Sequence, residues 1–187
     1  MNATARKNRN FGGIRQIGLV VRDARAAMLY WAETLGVGPF FVAEKVRFDD
    51  YLYRGKPSPS PTVTLGYAQA GDLQVEIITQ HDDVPSGYLE FLNSGREGCQ
   101  HVSSWFESTA AFDEAYRAAL ASGARVVHEG SAGGPRFAYF STIGNCAYGL
   151  DFELAEGKLP ALAPVHAMLA EASRQWDGSD PIRAMPT

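Results

Sequence analysis

The sequence is short of cysteine, of positive charge and of long hydrophobic runs, and each shortage excludes a class of protein. The two cysteines, Cys99 and Cys146, lack CxxC spacing, so neither a disulfide framework nor a thiolate metal site is indicated. There are 17 Lys and Arg against 21 Asp and Glu, with a net charge of −4, which argues against nucleic acid or an anionic membrane as the partner. No apolar run is long enough to predict a transmembrane helix.

A small molecule is therefore the expected partner, with neither nucleic acid nor membrane. Apolar residues make up 45% of the 187 residues, enough to fill one domain or two half-domains that share a core. Residues 1–13 are polar and basic, without an apolar stretch of signal-peptide length, and are expected to form a flexible arm. Together with the unpaired cysteines, these features predict a cytoplasmic protein.

From residue 14 onward, the hydrophobic pattern alternates between the period of strands and that of helices. Residues 14–21 predict a buried strand, after which Asp23 is a suitable N-cap for a helix that Gly36 would end. Residues 39–48, 62–69 and 73–80 are rich in β-branched and aromatic side chains and predict three strands. The first half, residues 14–80, is thus predicted to be a βαβββ module.

The same order of elements repeats after a linker predicted at residues 81–98. The second module, residues 99–156, is predicted to contain a strand at 99–106, a helix at 110–122 and strands at 125–129, 137–141 and 149–154. The spacing from Gln16 to Gly36 is close to that from His101 to Gly123, which indicates an internal duplication of about 80 to 85 residues. The predicted fold class is α+β, with two tandem βαβββ modules that form a cupped mixed sheet.

Two segments fall outside this repeat. Residues 49–61 contain three prolines, which a central strand cannot accommodate, so an ordered loop or lid is predicted there. Residues 157–187 are predicted to form a C-terminal helix, at 160–175, and a turn-rich tail that Trp176 anchors. The apolar stripe of this helix is expected to pack against the domain or a second subunit rather than to take part in a site.

Four polar side chains interrupt the apolar pattern in the middle of predicted strands: Gln16, Glu76, His101 and Glu153. Each carboxylate has apolar neighbours, and burying two unpaired carboxylates would be costly unless a shared cation offsets their charge. First and last strands of both modules would bring all four side chains to the concave face of the sheet. One imidazole, two carboxylates and an amide oxygen suit one divalent ion, Zn, Ni, Co, Mn or Mg.

These features resemble the vicinal oxygen chelate superfamily, which contains glyoxalase I, methylmalonyl-CoA epimerase and bleomycin resistance proteins. The resemblance extends over residues 14–154. The segments that carry it are residues 14–36, 75–77, 97–101 and 149–153. It implies that Gln16, Glu76, His101 and Glu153 occupy the four metal positions, in the pattern of the zinc-type glyoxalase I. It also implies a homodimer.

The resemblance implies an isomerase, epimerase or carbon–sulfur lyase that promotes proton transfer next to a metal-bound carbonyl. Its substrate would be a small organic molecule or a thioester. Glu153 is expected to be the catalytic base, with Glu76 as the second candidate. Thr64 stands where the epimerases have a catalytic glutamate, and Glu97 stands near the position of a glutathione-binding basic residue in glyoxalase I.

Two other functions stay open at this point. The same fold contains antibiotic-binding proteins that do no chemistry, and these commonly lack the metal ligands. Dioxygenases of the superfamily hold Fe(II) with two histidines and a carboxylate, and Gln16 takes the place of one such histidine. The remaining histidines, His81, His128 and His166, are expected to be solvated, and Arg136 is expected to lie at the surface.

Overall fold

The strands and helices predicted for the two modules follow one another in the predicted order, and further short elements lie between and beyond them. A computed structural model describes residues 11–141 and 150–186. The helices are α1 (Ala24–Glu33), α2 (Gly87–Asn93), α3 (Thr109–Ala121) and α4 (Ala163–Gln175), with a 3-10 turn at Pro160–Leu162. The strands are β1 (Ile14–Val20), β2 (Phe40–Val46), β3 (Asp49–Tyr53), β4 (Lys56–Pro57), β5 (Val63–Ala70), β6 (Leu73–Gln80), β7 (Gly98–Trp105), β8 (Arg125–Ser131), β9 (Arg136–Ser141), β10 (Asp151–Ala155) and β11 (Ile182–Ala184). Cys146, most of the predicted N-terminal arm and the start of the last predicted strand lie outside the described residues.

The two module helices begin and end where the sequence predicts. The side chains of Asp23 and Ser108 each accept a hydrogen bond from a backbone N–H three residues further on, which caps the first turn. Gly36 and Gly123 follow the helices with φ of 67° and 87°, a backbone conformation that glycine adopts without a steric penalty. No helix within the described residues is long and apolar enough to cross a bilayer.

The sheet shows the duplication directly. Within the described residues, eleven strands form one sheet in the order β11-β2-β5-β6-β1-β7-β10-β9-β8-β3-β4. The order β2-β5-β6-β1 of the first module is mirrored by β8-β9-β10-β7 of the second. β1 runs parallel to β6, and β7 runs parallel to β10, whereas β1 and β7 pair antiparallel at the centre. The α+β fold class with a mixed sheet is therefore confirmed.

The segments outside the repeat extend the sheet at both edges. The segment predicted as a loop or lid, residues 49–61, instead contains the β3–β4 hairpin, which pairs with β8 of the second module. Its prolines are tolerated because an edge strand does not need every backbone N–H for pairing. At the other edge, β11 of the C-terminal tail pairs parallel with β2. The stretch predicted as a linker contains α2, which Ser86 caps.

Apolar side chains pack on both faces of the curved sheet. On the outer face of the first module, Met28 of α1 packs with Val75 and Ile77 of β6, the face that strand alternation predicts for these two residues. On the outer face of the second module, Phe112 of α3 packs with Phe140. A third cluster fills part of the concave face. Its buried members are Val20, Phe48, Tyr51, Val63, Leu65, Ile78, Tyr88, Phe91, Leu92, Val127, Phe137 and Tyr139.

The C-terminal segment covers the concave face. Helix α4 packs across β5, and the Ser173 hydroxyl donates to the carbonyl of Gln69 at 2.8 Å. Beyond the helix, the Trp176 ring lies so close to Gly38 that a Cβ there would be 2.8 Å from the indole. The backbone N–H of Phe40 then donates to the carbonyl of residue 181. Packing against the domain was predicted, and it places α4 over the opening of the cup.

Candidate functional site

The four side chains predicted as metal ligands lie on four adjacent central strands. Glu76 is on β6, Gln16 on β1, His101 on β7 and Glu153 on β10, and all four are buried. His101 Nε2 is 3.4 Å from Glu76 Oε2 and 3.9 Å from Glu153 Oε2. Gln16 Nε2 donates to Gln74 Oε1 at 2.6 Å, which leaves its own amide oxygen free to accept or to bind an ion. Gln16, Glu76 and Glu153 line one cavity, and His101 is buried directly behind the two carboxylates.

A glycine on the neighbouring strand makes room for the imidazole. Gly18 of β1 pairs with His101 of β7, and the ring lies directly over the glycine. A Cβ at this position would stand 1.7 Å from His101 Cε1 and 2.1 Å from Nε2, far inside van der Waals contact. The absence of a side chain at Gly18 therefore determines where the imidazole sits.

A chain of two hydrogen bonds sets the protonation of this imidazole. Gln100 Oε1 lies 2.8 Å from His101 Nδ1, and Gln100 Nε2 donates to Asp151 Oδ2 at 2.7 Å. Because an amide oxygen can only accept, the proton of neutral His101 resides on Nδ1, and Nε2 directs its lone pair toward the two carboxylates. This is the arrangement in which histidine ligates metals.

Gln100 was missed by sequence reasoning, because adjacent strand residues normally point to opposite faces. The pairing of β1 with β7 shifts register between His101 and Cys99, so Gln100 is the extra residue of a β-bulge. Bulges redirect side chains in this way and often occur next to active sites. A bulge has no marker in the sequence here.

Three phenols, two of them buried and that of Tyr67 partly buried, surround the carboxylates. Tyr139 Oη is 3.4 Å from His101 Nε2, and Tyr88 Oη donates to Tyr139 Oη at 3.2 Å. Tyr67 of β5 stands opposite Glu76 in the strand register. Burial raises the pKa of all three tyrosines well above the usual value, and the nearby carboxylates raise it further. They are therefore neutral O–H donors throughout the ordinary pH range.

Glu153 has the protonation behaviour that a catalytic base needs. Burial raises the pKa of its carboxyl to about 7; a protonated His101 would oppose this shift, and the charge of Glu76 adds to it. A base works best when its pKa lies near the working pH. No Lys or Arg among the described residues forms an ion pair with Glu76 or Glu153, so neither charge is neutralised by a permanent cation.

The donor set fits a divalent ion in chemistry, although it does not form a closed metal site. Two ligands each about 2.1 Å from one zinc ion in tetrahedral geometry are roughly 3.4 Å apart, which is the separation of His101 Nε2 and Glu76 Oε2. Glu153 is further away, and no three His, Cys, Asp or Glu side chains of the described residues already stand as a metal site. Binding would therefore require Glu153 to approach the other two.

The site is one end of a cavity of about 260 Å³ between the sheet and α4. Gln16, Gln74, Glu76 and Glu153 form its polar end. Its walls are mostly apolar. Some of the lining residues lie outside the two predicted modules, on α4 and the segments that flank it. These residues are Leu162, Val165, His166, Leu169 and Met185. The helix was expected to pack against the protein without taking part in a site, and the covered opening shows that it does both.

The expectations for Thr64 and His128 need correction, whereas Arg136 lies at the surface as expected, with 39% of its side chain exposed. Thr64 lies on the opposite face of β5 from the cup and is hydrogen-bonded to His81 at 2.7 Å, so Tyr67 faces the carboxylates instead. Arg136 pairs with both Glu156 and Asp113. His128 was expected to be solvated and is completely buried, because β3 covers the β8 strand on which it lies.

Burial keeps His128 neutral. Its Nδ1 accepts a hydrogen bond from the backbone N–H of Gly87 at 3.2 Å, so its proton is on Nε2. This Nε2 has no hydrogen-bond partner among the described residues and lies among the rings of Tyr88 and Tyr139. Burial, together with the nearby His101, lowers the pKa of His128 to about 3.

Replacing His128 with leucine is expected to increase the free energy of unfolding, relative to wild type, more at pH 5 than at pH 8. Unfolded histidine has a pKa of about 6.5, so below this pH the proton binds the unfolded chain, and stability declines by about 1.4 kcal/mol per pH unit. The variant lacks this loss, and its stability relative to wild type should rise by about 2 kcal/mol from pH 8 to pH 5. Urea unfolding of both proteins measures this difference, and a constant difference would contradict the account.

The sequence and the fold are similar to those of known proteins. The sequence profile of the Glyoxalase/Bleomycin resistance protein/Dioxygenase superfamily matches residues 15–140, whereas no curated protein matches. The structure of a hypothetical protein from Bacillus halodurans is 16% identical, with a TM-score of 0.53, and the alignment covers 76% of this chain and 92% of that one. Methylmalonyl-CoA epimerase from Mycobacterium tuberculosis is 22% identical, with a TM-score of 0.55 and coverage of 81% and 91%. These structures share the fold, and the profile match over more than half of the sequence shows that the chain belongs to the glyoxalase/bleomycin resistance protein/dioxygenase superfamily.

Proposed function

We propose that this chain is a divalent-metal-dependent isomerase, epimerase or lyase of the glyoxalase type, which promotes proton transfer next to a metal-bound carbonyl. The observation that carries the proposal is the junction of an imidazole lone pair with two buried carboxylates in one cavity. His101 Nε2 faces Glu76 and Glu153, and no fixed cation of the described residues neutralises either charge. A divalent ion would supply that charge and use all three donors.

Each residue has a distinct part in this proposal. His101, Glu76, Glu153 and the amide oxygen of Gln16 would hold the ion, for which Zn, Ni, Co, Mn and Mg are the candidates and Fe is less favoured. When bound, such an ion polarises a carbonyl and acidifies the adjacent C–H. Glu153 is the proposed base, since the pKa of its buried carboxyl is raised to about 7, and Glu76 is the alternative.

The phenols and α4 complete the proposed site. Tyr139, close to His101 Nε2, can donate its O–H to a developing oxyanion, and Tyr88 supports it through their shared hydrogen bond. Helix α4 lines the cavity opposite the sheet and reduces the access of water to it, which strengthens the electrostatic interactions there. The proposed partner is a small molecule, with neither nucleic acid nor membrane. A homodimer and a cytoplasmic location are further parts of the proposal, based on the sequence.

Elemental analysis and proton exchange together test the function. The purified protein is expected to carry about one divalent ion per chain, and the His101→Ala variant is expected to lose it. The loaded protein should catalyse exchange of the α-protons of carbonyl compounds with deuterated water. Failure to bind metal under any loading condition would contradict the proposal and favour a binding protein of the same fold. Stoichiometric iron with oxygen consumption would favour a dioxygenase.

Replacing Gln100 with leucine is expected to lower zinc affinity by about 10- to 100-fold, the usual effect of removing the partner of a metal-binding histidine. The leucine leaves His101 Nδ1–H without its acceptor. Asp151→Asn is the matched control, because an asparagine oxygen still accepts from Gln100 and should preserve most of the affinity. Chelator competition measures both values. Equal affinity of wild type and Gln100→Leu would show that the hydrogen-bond chain does not position the histidine.

A further inference from the structure

We propose that the substrate is an uncharged carbonyl compound with an apolar, ring-sized body that lies between the sheet and α4. This inference rests on the proposed function, because it takes the carboxylate end of the cavity as the place where the carbonyl reacts. It goes further in excluding anionic substrates, among them thioesters of coenzyme A and adducts of glutathione.

The charges along the cavity disfavour an anionic substrate. Its polar end contains the two buried carboxylates, Glu76 and Glu153. Arg136 is the only Lys or Arg among the described residues that line the cavity, and it is held at 2.9 Å by both Asp113 and Glu156. The two charges of the proposed divalent ion are balanced by Glu76 and Glu153, so a carboxylate or phosphate on the substrate body would lose its water shell without gaining an unpaired cationic partner, which is strongly unfavourable.

The C-terminal segment that covers the cavity limits the size of the substrate. The wall of the cavity that faces the sheet is formed by residues of the C-terminal segment, Leu162, Val165 and Leu169. Leu169 is only 3% exposed. The cavity volume of about 260 Å³ lies just below the range of about 300 to 1,000 Å³ typical of cavities for drug-sized ligands. A nucleotide or a tripeptide arm does not fit inside while α4 is in place.

The distribution of polar and aromatic groups in the lining favours a substrate with one polar atom and a ring-sized apolar body. Away from the carboxylates, the charged lining residues Arg136 and Glu156 pair with each other, whereas Phe48 and Phe137 form an aromatic wall, in edge-to-face contact at 4.8 Å. A ligand with one polar atom and an aromatic or alicyclic body matches this division, since rings pack favourably on aromatic edges. His166 offers no free donor at Nε2, which bonds to the carbonyl of Gly157 at 2.7 Å.

Two probes with the same ring separate the possibilities. Propiophenone is an uncharged phenyl ketone with exchangeable α-protons, and 3-benzoylpropionate adds a carboxylate to the same body. Calorimetric titration of the metal-loaded full chain should show that the ketone binds about 10- to 100-fold more tightly than the acid, the range expected for burying an unpaired polar group. Equal or tighter binding of the acid, or tighter binding of acetyl-CoA, would overturn the proposal.

A charge placed on α4 provides a matched test. Val165→Lys introduces a cation at the cavity wall and should tighten binding of 3-benzoylpropionate at least about fivefold, because the carboxylate then finds a partner. Ala167→Lys adds the same charge on the same helix, at an exposed position outside the cavity, and should change it less than about twofold. Equal effects of the two variants would contradict the placement of the substrate body against α4.

The same experiments can refute the proposed substrate class without refuting the proposed proton transfer, and the reverse. If propiophenone binds with the expected preference but its α-protons do not exchange with deuterated water, the chemistry is refuted and the ligand class stands. If the acid or acetyl-CoA binds more tightly and exchanges its α-protons, the chemistry stands and the ligand class is refuted.

Discussion

Glu153→Gln is expected to slow exchange of substrate α-protons by about 10²- to 10⁴-fold, the range for loss of a general base, while the metal stays bound. Glutamine preserves the shape of the side chain and its ligating oxygen, but it cannot accept the proton at neutral pH. Burial raises the pKa of the Glu153 carboxyl to about 7, near the pH at which a general base is most effective. Deuterium incorporation followed by NMR, with metal content measured on the same samples, gives both quantities.

Glu76→Gln is the matched comparison, because this carboxylate is the nearer of the two to His101 Nε2. Its loss should appear mainly as weaker metal binding, and added metal should restore part of the exchange rate. If Glu76→Gln abolished exchange at full metal occupancy while Glu153→Gln left exchange intact, the roles of the two carboxylates would have to be reversed.

Gly18→Ala is expected to disrupt the metal site. The added methyl group would occupy the space of the imidazole, 1.7 Å from His101 Cε1, so either the ring must rotate away or β1 and β7 must separate. Such overpacking costs about 1 to 3 kcal/mol of stability. We expect zinc affinity and proton exchange to fall together, by more than the stability change alone explains. Thermal unfolding and chelator competition measure the two effects.

Gly66→Ala provides the control for a methyl group added to a strand of the same sheet. Its Cβ would meet the sulfur of Met28 at 2.5 Å on the outer face, and methionine adapts readily to such crowding. This variant should lose some stability but keep its metal affinity. A Gly18→Ala protein that binds zinc as well as the wild type would refute the position assigned to the imidazole.

The sequence carried enough information to predict the fold and to nominate the site. Strand and helix periods, with Asp23, Gly36 and Gly123 as boundaries, predict both modules because each signal is local. Glu76 and His101 were detectable because a charged or polar side chain in the middle of a buried strand needs a physical reason. The structure brings their side chains to within 3.4 Å of each other, and their role as metal ligands stays a prediction.

The features that were missed depend on contacts between distant parts of the chain. Gln100 turns toward His101 only because β7 bulges against β1. His128 is buried because the β3–β4 hairpin, read as a loop from its prolines, pairs with β8. Helix α4 was correctly placed in the sequence, but an amphipathic stripe indicates that a helix packs and not which surface it covers.

The pairing of β1 with β7 has a consequence for how the protein behaves on dilution. Gln16 and Glu76 come from the first module and His101 and Glu153 from the second, yet all four meet within a single chain. Neither half-chain alone would possess the site, whereas every intact chain possesses all of it. Activity per chain should therefore stay constant as the protein is diluted through any dissociation of subunits, and each chain would work as an independent unit.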